Sequence, residues 1–142
     1  MLKLSEQDVF LGCKASSKSE ALKLIADSLQ SSGYVRPGFY LAMTDREKHL
    51  STYIGAGVAL PHCAKEYIHL VVNTGFQIFQ FPDGINWGDK KIAFIVVAVA
   101  AKKDEHIEVL ASIADLLGDE VKTTILSRLT DKQEFIEQFN SN

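Results

Sequence analysis

Behind Ser17, with Glu20 three positions on, apolar Leu22, Ile25, Ala26 and Leu29 recur at helical spacing, and Gly33 closes the run. A Ser followed at +3 by Glu is a capping-box pattern, so a helix is predicted over roughly 18–32. Pro37 suits the first position of a second helix with Phe39, Tyr40 and Met43 on its apolar side. The charged stretch Asp45-Arg46-Glu47-Lys48 falls at its end, which brings Arg46 to a surface. Between Tyr53 and Pro61 the sequence YIGAGVALP reads as short extended segments around two glycines, so His62 is expected just after a strand.

Farther on, the pattern changes to β-branched and aromatic residues, from about 70 to 81 and from 92 to 101, with the turn signal PDG at 82–84 between them. Two strands are predicted. The second, AFIVVAVAA, does not alternate and reads as a central strand buried on both faces. An amphipathic helix follows, with Asp104 as its cap, His106 in its first turn, and Ile107, Val109, Leu110, Ile113, Ala114 and Leu117 as its apolar positions. Helical patterns return at roughly 120–128 and 131–139, the last opened by Thr130 with Gln133 three positions on. Strands interleaved with helices predict an α/β domain whose sheet is covered on both faces.

With 142 residues, 46% hydrophobic and 23% charged, the chain has the size and composition of one globular domain, so one domain over 1–142 is expected. A net charge of -3 without a clustered basic run argues against nucleic acid as a partner. The longest apolar run is about half of what a membrane-spanning helix needs, and MLKLSEQDVF lacks the pattern of a leader. A cytoplasmic chain without direct membrane insertion is expected, with Cys13 and Cys63 as free thiols.

Of four histidines, His62 and His106 carry chemical promise. Ligands of α/β sheets bind beyond the carboxyl ends of strands, where His62 would be presented, and His106 opens a helix whose free N–H groups favour an anion. A neutral imidazole is a nucleophile suited to accepting a phosphoryl group, and the helix start, His106 and Arg46 are donors suited to its oxygens. The bland alternatives stay open on the local pattern: a satisfied strand-end His62, a His106 packed under a loop, and an Arg46 on a solvated face paired locally with Glu47. His49 and His69 read as ordinary surface or sheet-edge residues outside the site. A zinc site from Cys63, His62, His69 and His106 matches no compact metal spacing, and a Cys–His hydrolase on Cys63 needs an exposed thiolate and a base oriented by a third group, neither of which the sequence shows, so neither metal nor cofactor is expected.

The segment GAGVALPH at 55–62 resembles the active-site signature of the type-2 enzyme IIA domains of the bacterial phosphoenolpyruvate-dependent sugar phosphotransferase system, the mannitol/fructose class. FLGCKASSKSEAL, GYVRPGFYLAMTDREKHLSTYIG, FPDGINWG and DEHIEVLASIADLLGDE extend the resemblance over nearly the whole chain, with the mannitol-type members most similar. The resemblance implies a three-layer α/β/α domain with a mixed central sheet of about five strands. It further implies that His62 accepts a phosphoryl group from the phosphocarrier protein HPr and donates it to a cysteine on the IIB domain of a sugar permease, with His106 beside it and Arg46 helping to hold the group. A regulatory module of the nitrogen type, whose phosphorylation controls protein partners, is the alternative within this fold. Two positions depart from the pattern: Ala56 stands where many members carry a polar residue, and Cys63 where glycine is common.

Overall fold

The computed structural model describes residues 4–141, so Met1–Lys3, which open the N-terminal segment read above, lie outside the described residues. The strands are β1 (Val9–Phe10), β2 (Tyr53–Gly55), β3 (Val58–Ala59), β4 (Gly75–Asn86) and β5 (Ile92–Ala100). The helices are α1 (Lys18–Ser31), α2 (Phe39–His49), α3 (His106–Leu117), α4 (Glu120–Arg128) and α5 (Lys132–Asn140), and short 3-10 turns lie at Glu6–Asp8 and Lys65–Leu70. One mixed sheet runs in the order β1-β4-β5-β3-β2. The β1/β4 and β3/β5 pairs are parallel, and the β4/β5 and β2/β3 pairs antiparallel.

β5 is central, as its unbroken apolar sequence requires. Val96, Ala98 and Ala100 pack with α1 and α2 on one face, while Ile95, Val97 and Val99 pack with α3, α4 and α5 on the other. The sheet therefore has two cores. Their largest members, among them Phe39, Phe79, Phe135 and Phe139, are fully buried, each stabilising the fold by about 1.5–3 kcal/mol relative to exposure. Among the described residues no helix is long and apolar enough to cross a membrane.

The α1 pattern is realised: Ser17 caps the helix by accepting from the Glu20 N–H, and Leu22, Ile25, Ala26 and Leu29 are all buried. Other boundaries differ from expectation for local reasons. α2 starts at Phe39, two residues beyond Pro37, because Gly38 takes the N-cap position with φ 100°, a left-handed conformation that suits glycine. The PDG at 82–84 lies inside β4 as a register shift against β5 between Gln80 and Ile85, and the reversal comes at 87–91, where the Trp87 N–H donates to the Lys91 carbonyl. β4 begins at Gly75 because 65–70 is wound into a 3-10 turn. Glu105 replaces Asp104 at the N-cap of α3, with no side-chain cap bond. α5 is capped by Asp131, which accepts from the Glu134 N–H, one residue after the predicted Thr130/Gln133 box.

Candidate active site

The hairpin β2–β3 turns through Gly55, Ala56 and Gly57, all with positive φ (97°, 54° and 77°). β3 then runs beside β5, and the Val99 N–H donates to the Pro61 carbonyl at 3.0 Å, extending the parallel pairing to the residue before His62. Since β3 and β5 are parallel, both deliver their carboxyl ends to one edge of the sheet. The connection leaving β5 there leads into α3, whose first residue is His106. The topology brings the two histidines together: their ring centroids are 5.2 Å apart at an interplanar angle of 64°.

His62 is 8% exposed. Its Nδ1 lies 2.7 Å from the Leu60 carbonyl oxygen. A carbonyl only accepts, so Nδ1 carries the proton in the neutral ring and Nε2 keeps its lone pair. Burial holds the His62 ring below the ordinary imidazole range. The Leu60 carbonyl opposes this, the Arg46 guanidinium and His106 deepen it, and the Glu47 carboxylate again opposes it. His106 is held low by burial and then by Arg46. Among the described residues its Nε2 is buried with no hydrogen-bond partner, an arrangement that costs about 1–3 kcal/mol.

Arg46 is half-buried on the last turn of α2, where its Nη1 donates to the Leu50 carbonyl. It does not pair with Glu47, against the reading from the charge run. Arg46, Leu60, His62 and Ile107 line a cleft of about 400 Å³. Its lining includes exposed apolar side chains: Ile107 is 81% exposed and Ile54 43%. Ile107, assigned from sequence to the packed face of α3, thus points outward at the site. A larger groove of about 960 Å³, lined by Lys90, Ile92, Phe94 and Thr123 at the opposite end of β5, holds no histidine.

The remaining candidates lie apart from this chemistry. His49 and His69 are exposed. Cys13 and Cys63 are free thiols. Cys63 is buried, and burial pushes its thiol up to about 11, so the residue following His62 offers no thiolate near neutrality. Among the described residues no group of three or more His, Cys, Asp or Glu side chains is placed to hold a metal ion.

Sequence reasoning missed Glu47, whose side chain is 5% exposed. It accepts hydrogen bonds from the Thr52 N–H, the Thr52 hydroxyl and Trp87 Nε1, and it pairs with Lys18. A signal was present: Phe39, Met43 and Glu47 follow at intervals of four, which puts Glu47 on the buried stripe of α2.

A family model described as phosphoenolpyruvate-dependent sugar phosphotransferase system, EIIA 2, matches residues 3–142. The multiphosphoryl transfer protein of Haemophilus influenzae is 38% identical over 135 residues, covering 95% of this chain and 27% of that protein. This chain spans about a quarter to a third of the length of the curated multiphosphoryl transfer proteins it matches. The crystal structure of IIA mannitol from Escherichia coli superposes with a TM-score of 0.91 at 37% identity, covering 97% of this chain and 99% of that one. The IIA component in the complex of enzyme IIAMTL with phosphorylated enzyme IIBMTL, also from Escherichia coli, gives a TM-score of 0.92 at 36% identity, with 98% of each chain covered.

Proposed function

Because the chain belongs to the EIIA 2 family of the phosphoenolpyruvate-dependent sugar phosphotransferase system, we propose that it is a phosphocarrier that accepts a phosphoryl group from phosphorylated HPr on His62. It passes the group to the cysteine of a IIB domain, that of a mannitol-type or fructose-type permease. The observation that carries this reading is the bond between Nδ1 of His62 and the Leu60 carbonyl, which leaves Nε2 as the nucleophile.

In the forward step the Nε2 lone pair forms the N–P bond as the bond from phosphorus to the donor's nitrogen breaks, and that electron pair stays with the donor. Positive charge then develops on the His62 ring, and Nδ1–H becomes a stronger donor to the Leu60 carbonyl. Onward transfer reverses the polarity. The IIB thiolate forms the S–P bond, and the N–P electron pair returns to Nε2. Arg46 and an Nε2–H of His106 hold the equatorial oxygens, and phosphoryl transfer asks mainly for such positioning and charge stabilisation. The low proton affinity of both rings keeps them neutral near pH 7, one as nucleophile and the other as a single N–H donor. Ile107 and Ile54 give the partner proteins exposed apolar side chains at the cleft.

The test is transfer of label from phosphoenolpyruvate through enzyme I and HPr onto the purified chain, with His62→Ala beside the native protein. Acid-labile, base-stable label present on the native chain and absent from His62→Ala is the expected result. A folded native chain that takes no label sinks the phosphocarrier reading.

A further inference from the structure

We propose that Glu47 is the positioning residue of the phosphoryl-accepting site, a role that rests on the phosphocarrier reading and extends it to a side chain outside the reacting atoms. One buried carboxylate gathers four donor groups from three other parts of the chain. Oε1 accepts from the Thr52 N–H at 3.2 Å and from Trp87 Nε1 at 3.2 Å, and it pairs with Lys18 Nζ at 2.8 Å; Oε2 accepts from the Thr52 hydroxyl. Lys18 opens α1, Trp87 follows β4, Thr52 leads into β2, and Glu47 itself lies in the last turn of α2.

The consequence for His62 runs through two further bonds. The Thr52 carbonyl accepts the Leu60 N–H at 3.0 Å, and the Leu60 carbonyl accepts His62 Nδ1 at 2.7 Å. Fixing Thr52 therefore fixes the residue whose carbonyl sets the His62 tautomer and aims Nε2 into the cleft. The same carboxylate anchors the turn of α2 from which Arg46 reaches the site, so nucleophile and cation are placed from a single point.

Only a carboxylate fits. All four partners donate, and two ionised oxygens offer about four lone-pair directions. A glutamine has the same shape, but its one oxygen accepts about two bonds and its NH₂ faces donors.

The test compares Glu47→Gln with the native chain on two readouts, the tautomer of His62 by ¹⁵N NMR of the unphosphorylated protein and single-turnover phosphorylation by phosphorylated HPr. The native ring is expected as the Nδ1–H tautomer. In Glu47→Gln that preference is expected to be lost, with the transfer rate falling about tenfold and the donor's KM staying within about twofold. An unchanged tautomer and rate overturn the proposal. Thr52→Val removes only the Oγ1 bond and is expected to shift both readouts in the same direction. Should Glu47→Gln fail to fold, an unmoved Thr52→Val overturns the proposal alone. Phe139→Leu, in the other core, controls for loosening: if it shifts the tautomer as Glu47→Gln does, the role is general stability and not positioning. Because the tautomer is read without phosphate, a native chain that takes no label defeats the phosphocarrier reading while the effect of Glu47 on the ring is still measured.

Discussion

The carbonyl oxygen of Leu60 lies 2.7 Å from Nδ1 of His62, and this contact ties the tautomer of the imidazole to the backbone two residues before it. A side-chain partner would have its own rotamers and protonation states, whereas a carbonyl at a strand end has neither. The contact also fixes what pH does to the reaction. Protonation of Nε2 removes the nucleophile, and burial, Arg46 and His106 all disfavour that protonation. The single-turnover rate of phosphorylation should be flat through neutrality and fall only at pH below the ordinary imidazole value of 6.5. A rate that already halves between pH 7.5 and about 6.5 would contradict the depressed affinity of this ring.

His106 has a buried Nε2 without a partner among the described residues, beside the His62 ring. In the phosphocarrier reading, a phosphoryl group on His62 would give that nitrogen the bond it lacks. His106→Ala should slow transfer about a hundredfold, in the range seen when one preorganised donor is removed. Folding should survive, because the substitution also deletes the unpartnered polar atom. Rates and thermal melts of the same preparation check both halves.

Exposed apolar side chains at a cleft serve a protein partner better than a small molecule. Ile107 is the most exposed of them, so Ile107→Asp should raise the KM for phosphorylated HPr by about tenfold, equivalent to about 1.4 kcal/mol of lost binding. The melting temperature should hardly move. An unchanged KM would place docking elsewhere.

How far the sequence reached depends on where the information sits. The α1 cap and the central β5 follow from local patterns, and both are observed; that the His106 ring lies beside that of His62 was implied by the family resemblance and not by spacing, and the two rings are 5.2 Å apart. Glu47 was hidden by its neighbours: within Asp45-Arg46-Glu47-Lys48 it looks like one more solvated charge, although its spacing from Phe39 and Met43 marks it as buried. Ile107 failed in the opposite direction. Its apolar character argued for the packed face of α3, yet the side chain lines the cleft and is 81% exposed. The PDG in β4 misled because Pro, Asp and Gly also suit a bulge, and only the partner strand decides between bulge and turn. The Leu60 carbonyl was invisible, since a backbone acceptor has no letter of its own.

Gly57 has φ 77°, and an added Cβ would meet the Phe94 ring at 3.2 Å. Its carbonyl also accepts from the Phe94 N–H, so the residue joins the hairpin to β5 just before His62 is presented. Gly57→Ala should destabilise the protein by about 1 kcal/mol or more, because alanine resists the left-handed conformation and crowds the ring. Ala56, with φ 54°, offers the comparison. Ala56→Gly relieves its own strain at the cost of a freer unfolded chain and should change stability by less than about 1 kcal/mol. Denaturant midpoints for the two variants separate these cases, and equal losses would mean that the hairpin tolerates either residue.

Both site histidines bind protons less readily in the fold than in the unfolded chain. As pH falls below the ordinary value of 6.5, the unfolded chain takes up protons that the folded rings refuse. Proton uptake is then larger in the unfolded state, so stability rises with pH in that window and falls on acidification. The loss should be complete once pH has passed below the depressed folded values of the two rings. Removing a ring removes its share, so the slope of stability against pH between 6.5 and the depressed values should be shallower in His106→Ala than in the native protein. Urea titrations at a series of pH values measure this slope directly. Identical slopes would mean that His106 titrates in the fold as it does in the unfolded chain, and the neutral N–H donor assigned to it would lose its electrostatic basis.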